Sequence, residues 1–519
     1  MAEQPAAARN RIRAGRLLAL LGGVALSFAF APFGQWWLAL AAPAVLMALW
    51  ARSARPGEGA WLGFCFGLGL YASGTWWLYI SIRIIGQAPV VVALLVMLAL
   101  VLIMAAYQAL LGYLVCRWLR PGSLGGRLLW VPAAWVLVEW WRGWFLTGFP
   151  WLSLGYSQTD TWLAGLAPVG GVPLTSFSLL AGAGALLVLA QERGAARAVA
   201  LVALVLPWTS GLALRGVEWT HPAGEARSVA ILQGAIPQDM KWQVSNSRNI
   251  LDTYERLHRD ALGADLIVWP ESALPDVANR FSSYIANVWS AAGNRGSHVL
   301  MGVMRVEVGE TEGEDRYYNS ILGLGAGDPA FYDKRQLVPF GEFFPVPGFV
   351  RRWLRLMNLP YSDFTVGARH QRLFELAGVQ LATSICYEDA YPGLLRRETL
   401  ASGAMVTVTN DAWFGHSPAR YQHLQISRMR ALEARRYLVR AANDGVSAVV
   451  APDGRVVARA SEYEPQVLRG EFTPREGATP YLATGNLPVL GLALLLVAVP
   501  VAGGLRNRRR GAIDRLPRA

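Results

Sequence analysis

A polytopic α-helical membrane domain of about eight spans, joined to one exported α/β domain, is what this sequence predicts. Three observations lead there. The 519 residues are 53% hydrophobic and only 16% charged, with a mean hydropathy of +0.29, whereas soluble domains carry roughly a quarter charged residues. Apolar runs of about 20 residues, the length that crosses a bilayer, fill the first part of the chain and recur once near its end. Between them, residues 215–483 alternate β-rich apolar runs with helical stretches. Disorder, a collagen-like chain and a disulfide-framed secreted module are excluded by the same composition.

The spans fall near residues 16–33, 36–50, 58–81, 88–115, 128–147, 171–190, 196–214 and 485–505. They divide the chain into a membrane domain with seven helices (1–214), an exported domain (215–483), and an eighth helix with a basic tail (484–519). The formal charge of +12 would suggest a nucleic-acid partner if it sat on one folded domain. It does not. Residues 215–483 hold 29 basic and 30 acidic side chains, and the rest of the chain holds 19 basic and 6 acidic. With the N-terminus in the cytoplasm, all of those arginines except Arg83 and Arg142 face inward. That positive-inside bias puts both termini in the cytoplasm and residues 215–483 on the opposite face. Trp36, Trp37, Trp76, Trp77, Trp140, Trp141 and Trp144 fit an interfacial aromatic belt. Arg-rich residues 9–16, an apolar run and Ala29-Phe30-Ala31 imitate a cleavable leader. A retained first span is expected, and its removal would not change the orientation of the six that follow before the large domain.

In the exported domain the candidate strands are Ser228–Gln233, Leu266–Trp269, Val299–Val303, Ser320–Leu324, Leu381–Ile385, Met405–Thr409 and Ala448–Ala451. Ser247–Leu262 and Gln422–Arg440 have helical periodicity. Asp453-Gly454, between two valine pairs, marks a hairpin turn. There are no internal repeats, no low-complexity tracts and no glycine-rich phosphate loop.

Chemistry concentrates at three residues. Cys65 and Cys116 fall in membrane spans, which leaves Cys386 alone in the exported domain, without a disulfide partner. An unpaired thiol in an oxidising compartment is either inert and buried or kept for reactivity. Cys386 follows the apolar run Leu381–Ile385 and precedes Tyr387-Glu388-Asp389, at a strand end, where open α/β sheets present functional groups. Only two of the 48 basic residues are lysines, Lys241 and Lys334. A chain that otherwise uses arginine keeps lysine where a compact, tunable ammonium is needed. Glu271, in Trp269-Pro270-Glu271-Ser272, repeats the strand-end placement of the cysteine. A Glu, a Lys and a Cys so placed supply a base, an oxyanion stabiliser and a nucleophile for acyl transfer.

These residues carry a family resemblance. The exported segment resembles the nitrilase (carbon–nitrogen hydrolase) superfamily. With its spans, the chain resembles that superfamily's membrane-embedded branch, the apolipoprotein N-acyltransferases. The matching stretches are Gln233–Gln238 with Lys241-Trp242, Trp269–Ser272, Tyr332-Asp333-Lys334, Leu337–Glu342, Ile385–Glu388 and Asn410–Gly415. In the membrane part, Glu139–Trp144, Thr147–Trp151 and Gly155–Gln158 also match. Asp444 stands where a small polar residue such as Thr is expected.

The resemblance implies an αββα sandwich with the triad Glu271, Lys334 and Cys386. It also implies a two-step reaction without cofactor or metal. Cys386 takes an acyl chain from a membrane phospholipid as a thioester, then passes it to the α-amine of a lipoprotein's diacylglyceryl-cysteine. The site would lie on the periplasmic side of a bacterial inner membrane, in a protein expected to be monomeric. Glu342, Tyr387 and Glu388 would support the site, the Tyr387 N–H would complete the oxyanion hole, and Trp242 would help admit substrate.

Phe340 to Pro360, apolar with Arg351, Arg352 and Arg355 between, suits a membrane-facing lid. Glu139 and Arg142, one turn apart, are expected to form an ion pair. The six histidines show no metal-ligand spacing. Two other readings compete: a membrane-anchored amidase with the same triad and water as acceptor, and a transporter or scaffold whose exported domain only binds ligand.

Overall fold

The computed structural model describes residues 6–53, 55–310, 314–343 and 364–513. The chain divides into two compact units. One holds the chain up to Tyr79, Ala88–Val217 and the part from Thr484 on; the other holds Ile80–Gln87 and Glu218–Ala483.

In the first unit a helix stands at each of the eight apolar runs: Ala6–Ser27, Leu38–Ala51, Pro56–Gly74, Val90–Trp118, Val131–Arg142, Ala167–Gln191, Ala195–Arg215 and Leu487–Ile513. Among the described residues, four segments are long and apolar enough to cross a membrane: Val90–Trp118, Trp162–Gln191, Ala195–Arg215 and Leu487–Arg506. The other helices fall short for local reasons. Ala6–Ser27 carries arginines in its first turns, Leu38–Ala51 and Val131–Arg142 have only 14 and 12 residues, and Pro56–Gly74 is diluted by glycine. Those glycines have a packing use. A Cβ at Gly59 would lie 2.6 Å from the Gly112 carbonyl oxygen, and one at Gly63 would lie 2.0 Å from that of Gln108. Helices Pro56–Gly74 and Val90–Trp118 therefore meet backbone to backbone along a small-residue stripe.

The expected Glu139–Arg142 ion pair does not form. Glu139 instead accepts hydrogen bonds from the Leu154 N–H (2.9 Å), Trp135 Nε1 (3.3 Å) and Ser176 Oγ (2.9 Å). Arg142 donates to the carbonyls of Phe149 and Trp151 and to Ser153 Oγ. A buried charge seeks its nearest uncompensated partners, and here the loop 149–154 supplies all of those named for Arg142 and one of the three for Glu139. Trp77 also departs from the aromatic belt: it is buried, with its ring 5.6 Å from that of Trp151.

The second unit contains two six-stranded sheets and a small pair, β1 (His221–Pro222) with β14 (Arg475–Glu476). The first sheet is built from β2 (Arg227–Gln233), β3 (Leu266–Trp269), β4 (His298–Glu307), β5 (Arg316–Leu324), β6 (Ala330–Asp333) and β13 (Gln466–Phe472), in the order β13-β2-β3-β4-β5-β6. The second is built from β7 (Phe374–Leu376), β8 (Val379–Ile385), β9 (Ala404–Thr409), β10 (Leu438–Ala442), β11 (Ala448–Val450) and β12 (Val456–Arg459), in the order β12-β11-β10-β9-β8-β7. β2, β3 and β4 run parallel, as do β8, β9 and β10.

Strand alternation assigns each face. Val229, Ile231, Leu266 and Val268 of the first sheet share a core with Leu381, Ile385, Val406 and Val408 of the second. Ala230, Leu232, Ile267 and Trp269 point the other way, onto the helices Ser247–Ala261 and Ser282–Gly293. Met405 and Leu438 of the second sheet turn outward to Leu424, Ala431 and Ala434 on the helix Ala419–Ala434. The layers are thus helix, sheet, sheet, helix.

All seven expected strands are present, and the Asp453-Gly454 turn joins β11 to β12, with Gly454 at φ +80°. One helix is corrected. Gln422–Arg440 was expected to be continuous, but the helix ends at Ala434, Arg435 takes a left-handed conformation at φ 52°, and residues 438–442 become β10.

Candidate active site

Strand β3 ends at Trp269, and Pro270, which has no N–H to continue the ladder, turns the chain so that Glu271 leaves the sheet edge. This turn lies directly over β4. A Cβ at Gly302 would fall 2.3 Å from the Pro270 carbonyl oxygen and 2.6 Å from the Glu271 Cα, so only glycine admits the close approach. The Ala273 N–H bonds back to the Gly302 carbonyl at 2.8 Å.

Lys334 follows β6. Its backbone N–H is held by the Asn319 carbonyl at 2.8 Å, and its side chain is 1% exposed. The ammonium Nζ lies 2.8 Å from Glu342 Oε1 and 3.5 Å from Glu271 Oε1. Asn319, on β5, donates from Nδ2 to both carboxylates at 2.7 Å. Glu342 is itself anchored by the Val338 N–H on its other oxygen at 2.8 Å. One ammonium and one amide thus hold two carboxylates at fixed spacing. Burial disfavours the ammonium, but Glu342 and then Glu271 outweigh it and hold Lys334 above the usual lysine value.

Cys386 sits where β8 ends, in a left-handed conformation at φ 51°. A non-glycine residue there is strained, and the strain marks a sharp strand-to-turn junction that carries the thiol off the sheet. Burial, then the Glu271 carboxylate, push the thiol well above its ordinary value, with Lys334 pulling the other way. The resting sulfur is therefore a protonated thiol, and it needs a base at the moment of attack.

Glu388, fully buried, ties the two sheets together. Its Oε2 accepts the Ile385 N–H at 2.7 Å and the Tyr332 hydroxyl at 2.9 Å; its Oε1 accepts the Arg335 N–H at 2.7 Å and the Gln336 N–H at 3.3 Å. All the lone-pair positions of the carboxylate are used, one on the strand before the thiol, one on the Tyr332 hydroxyl of β6, and two on the chain just after Lys334. The Tyr387 ring packs edge-on against Tyr391 at 5.1 Å.

Glu271, Lys334, Glu342, Cys386 and Glu388 are thus brought together. Trp242 is 39% exposed. Its neighbour Lys241 is buried, with Nζ 3.3 Å from the backbone carbonyl of Glu271, and burial pulls it down to about 8 against the raising effect of Glu271. Of the expected lid, residues 344–360 lie outside the described residues. Asp444 lies 3.7 Å from buried Arg420, which also meets Glu462 at 3.3 Å.

Sequence reasoning missed Asn319, whose signal was a polar residue inside an otherwise apolar strand. It also missed a second buried cluster behind the cysteine. His423 Nε2 lies 3.0 Å from Asp389 and its Nδ1 lies 2.9 Å from Asp411. Arg440 meets Asp411 at 2.7 Å and Asp389 at 3.4 Å, and Ser427 bonds to Asp389 and Arg440.

A strand-end thiol faced by a carboxylate and an ammonium across an αββα sandwich defines an enzyme of the carbon–nitrogen hydrolase class. The profile of that family, Carbon-nitrogen hydrolase, matches residues 228–481, and the profile of the Apolipoprotein N-acyltransferase N-terminal domain matches residues 22–185. Three curated relatives, each named Apolipoprotein N-acyltransferase, extend the match over nearly the whole chain. The protein of Azotobacter vinelandii is 44% identical over 93% of this chain and 94% of its own. That of Pseudomonas putida is 42% identical over 94% and 97%, and that of Methylococcus capsulatus is 42% identical over 95% and 96%. The chain belongs to the apolipoprotein N-acyltransferase family and is an N-acyltransferase.

Proposed function

We propose that Cys386 carries the acyl group between a membrane phospholipid and the free α-amine of a lipoprotein's N-terminal diacylglyceryl-cysteine. Glu271 takes the thiol proton as sulfur bonds to the ester carbonyl carbon, and the carbonyl electron pair moves onto oxygen. Lys334 and the Tyr387 N–H receive that oxyanion. Its collapse breaks the ester C–O bond, and the lysophospholipid alkoxide leaves with the proton from Glu271. In the second half the amine attacks the thioester and Glu271 takes the amine proton. Collapse then expels sulfur, which recovers the proton as a thiol and leaves the amide. One carboxylate serves both halves.

The observation that carries this reading is the raised thiol beside a Glu271 that is already oriented by Asn319 and Lys334. A sulfur held protonated reacts only when its base, substrate and oxyanion donors are in place together. This favours acyl transfer in a closed site over adventitious thiol chemistry. Glu342 keeps Lys334 charged and aimed, and Trp242 guides the lipid in. We place the protein in a bacterial inner membrane with eight spans, 215–483 as the catalytic domain on the periplasmic side, and both termini in the cytoplasm. The arginine distribution supports that orientation.

Intact-mass measurement tests the reading. Enzyme incubated in detergent with a diacyl phospholipid alone should gain one acyl chain, and Cys386→Ala should gain none. An amine-bearing diacylglyceryl lipopeptide should then discharge the adduct far faster than water. Absence of the adduct overturns the assignment of Cys386; equal discharge by water favours an amidase.

A further inference from the structure

The carbonyl of Cys386 and the N–H of Tyr387 are the two ends of one planar peptide group, so whatever fixes the oxygen also aims the hydrogen. The oxygen is fixed by His423, on the helix Ala419–Ala434. Its Nε2 lies 3.2 Å from the Cys386 carbonyl oxygen and 3.0 Å from Asp389 Oδ1. Both neighbours accept and neither donates, so Nε2 carries a hydrogen, which excludes the neutral tautomer protonated at Nδ1 alone. At the other ring nitrogen, Nδ1, Asp411 Oδ1 and Arg440 Nη2 both stand at 2.9 Å, and Asp411 is itself fixed by the Thr409 hydroxyl at 3.0 Å.

The charged groups facing the ring come from three elements: Asp389 from the turn after β8, Asp411 from the turn after β9, and Arg440 from β10. His423, Asp389, Asp411 and Arg440 are all fully buried. Burial and Arg440 oppose a charge on the ring, but the two aspartates outweigh them and push His423 up to about 9.

We infer that His423 is a positioning residue for the acyl-transfer reaction: through the Cys386 carbonyl it orients and polarises the Tyr387 N–H toward the oxyanion in both half-reactions. A charged donor on the carbonyl oxygen draws electron density from the amide nitrogen and makes its N–H a stronger donor, which is the ordinary cooperativity of hydrogen-bond chains. It also supports the left-handed Cys386 backbone, whose strain needs a partner to persist. The inference rests on the reading of Cys386 as nucleophile and of Tyr387 as oxyanion donor.

Two reactions of the same sulfur separate this role from a merely structural one. Acylation by a diacyl phospholipid builds an oxyanion. Alkylation by iodoacetamide forms the S–C bond as iodide leaves and builds none. Both are followed on the full-length protein in detergent by intact mass. His423→Leu should lower the maximal rate of acylation about 10- to 100-fold, with the half-saturating phospholipid concentration little changed and alkylation within threefold of wild type. His423→Gln, which restores an N–H donor without charge, should recover part of the loss. Asp411→Asn leaves the histidine in place and weakens its charge; it should show the same split at smaller amplitude, and it decides the matter if the histidine variants do not fold. Equal loss of acylation and alkylation, or no loss of acylation, overturns the inference. A wild-type enzyme that is alkylated but never acylated overturns instead the nucleophile assignment on which it rests.

Discussion

Two buried charge clusters flank the Cys386 turn, and they are built on opposite plans. On the first sheet, Glu271 and Glu342 share Lys334 as their bonded side-chain cation, while buried Lys241 bonds to the Glu271 backbone carbonyl. Behind the turn, Asp389 and Asp411 face His423 and Arg440, so that the charges balance. A cluster whose two carboxylates share one bonded cation can accept a proton without breaking its own partnerships, which suits it for chemistry. A balanced one resists any change of protonation, because neutralising one member strands another in a medium of low dielectric. On the proposed roles, buried ion pairs in one domain divide between groups that react and groups that hold the reacting groups still.

The comparison can be broken at its reactive end first, where the effects are largest. Glu271→Gln removes the base but keeps the shape, and the rate of acyl-adduct formation by intact mass should fall about 10³-fold. Lys334→Arg keeps the charge but replaces a compact ammonium with a wider planar group, at a cost of about 10²–10³-fold in the same assay. Activity within threefold of wild type would refute either role. At the balanced end the loss should appear in stability. Arg440→Leu leaves two aspartates against one imidazolium and should destabilise the domain by about 3–5 kcal/mol, read as a lower unfolding temperature in detergent, whereas Glu271→Gln should lower it far less. The smallest effect sharpens the contrast through pH. Because burial and Glu271 raise the Cys386 thiol, its thiolate appears only at a pH above the ordinary thiol range, and the rate of iodoacetamide alkylation should still be climbing there. In Glu271→Gln the climb should shift to lower pH, since a repelling carboxylate has gone.

The three residues of the proposed triad stood out in the sequence because each lies at a strand end, and because lysine is rare enough in this chain for its presence to mean something. What could not be read were groups whose importance comes from contacts distant in sequence. Gly302 is one of 53 glycines, and only the fold shows that the Glu271 turn rests on it. His423 and Arg440 lie on what read as one amphipathic helix. Arg435, the residue that stops that helix, carries none of the signals of a glycine cap, so β10 and the arginine it carries into the cluster were hidden. The Glu139–Arg142 spacing misled in the opposite sense. One-turn neighbours of opposite charge suggest a pair, but both side chains were claimed by the loop between residues 149 and 154 and by Ser176. The eight apolar runs were legible as helices. Helix length, which packing decides, was not.

Glu388 has a consequence for the timing of the reaction. Sulfur and ammonium arrive from different sheets, and this one carboxylate is bonded to the backbone beside each of them. In the proposed reaction, nucleophile and cation are tied through this one carboxylate while the lipid chain is taken up and the amide released. A single set of distances then serves two tetrahedral intermediates reached from unlike substrates, so the enzyme can change partners in mid-cycle without resetting its own geometry.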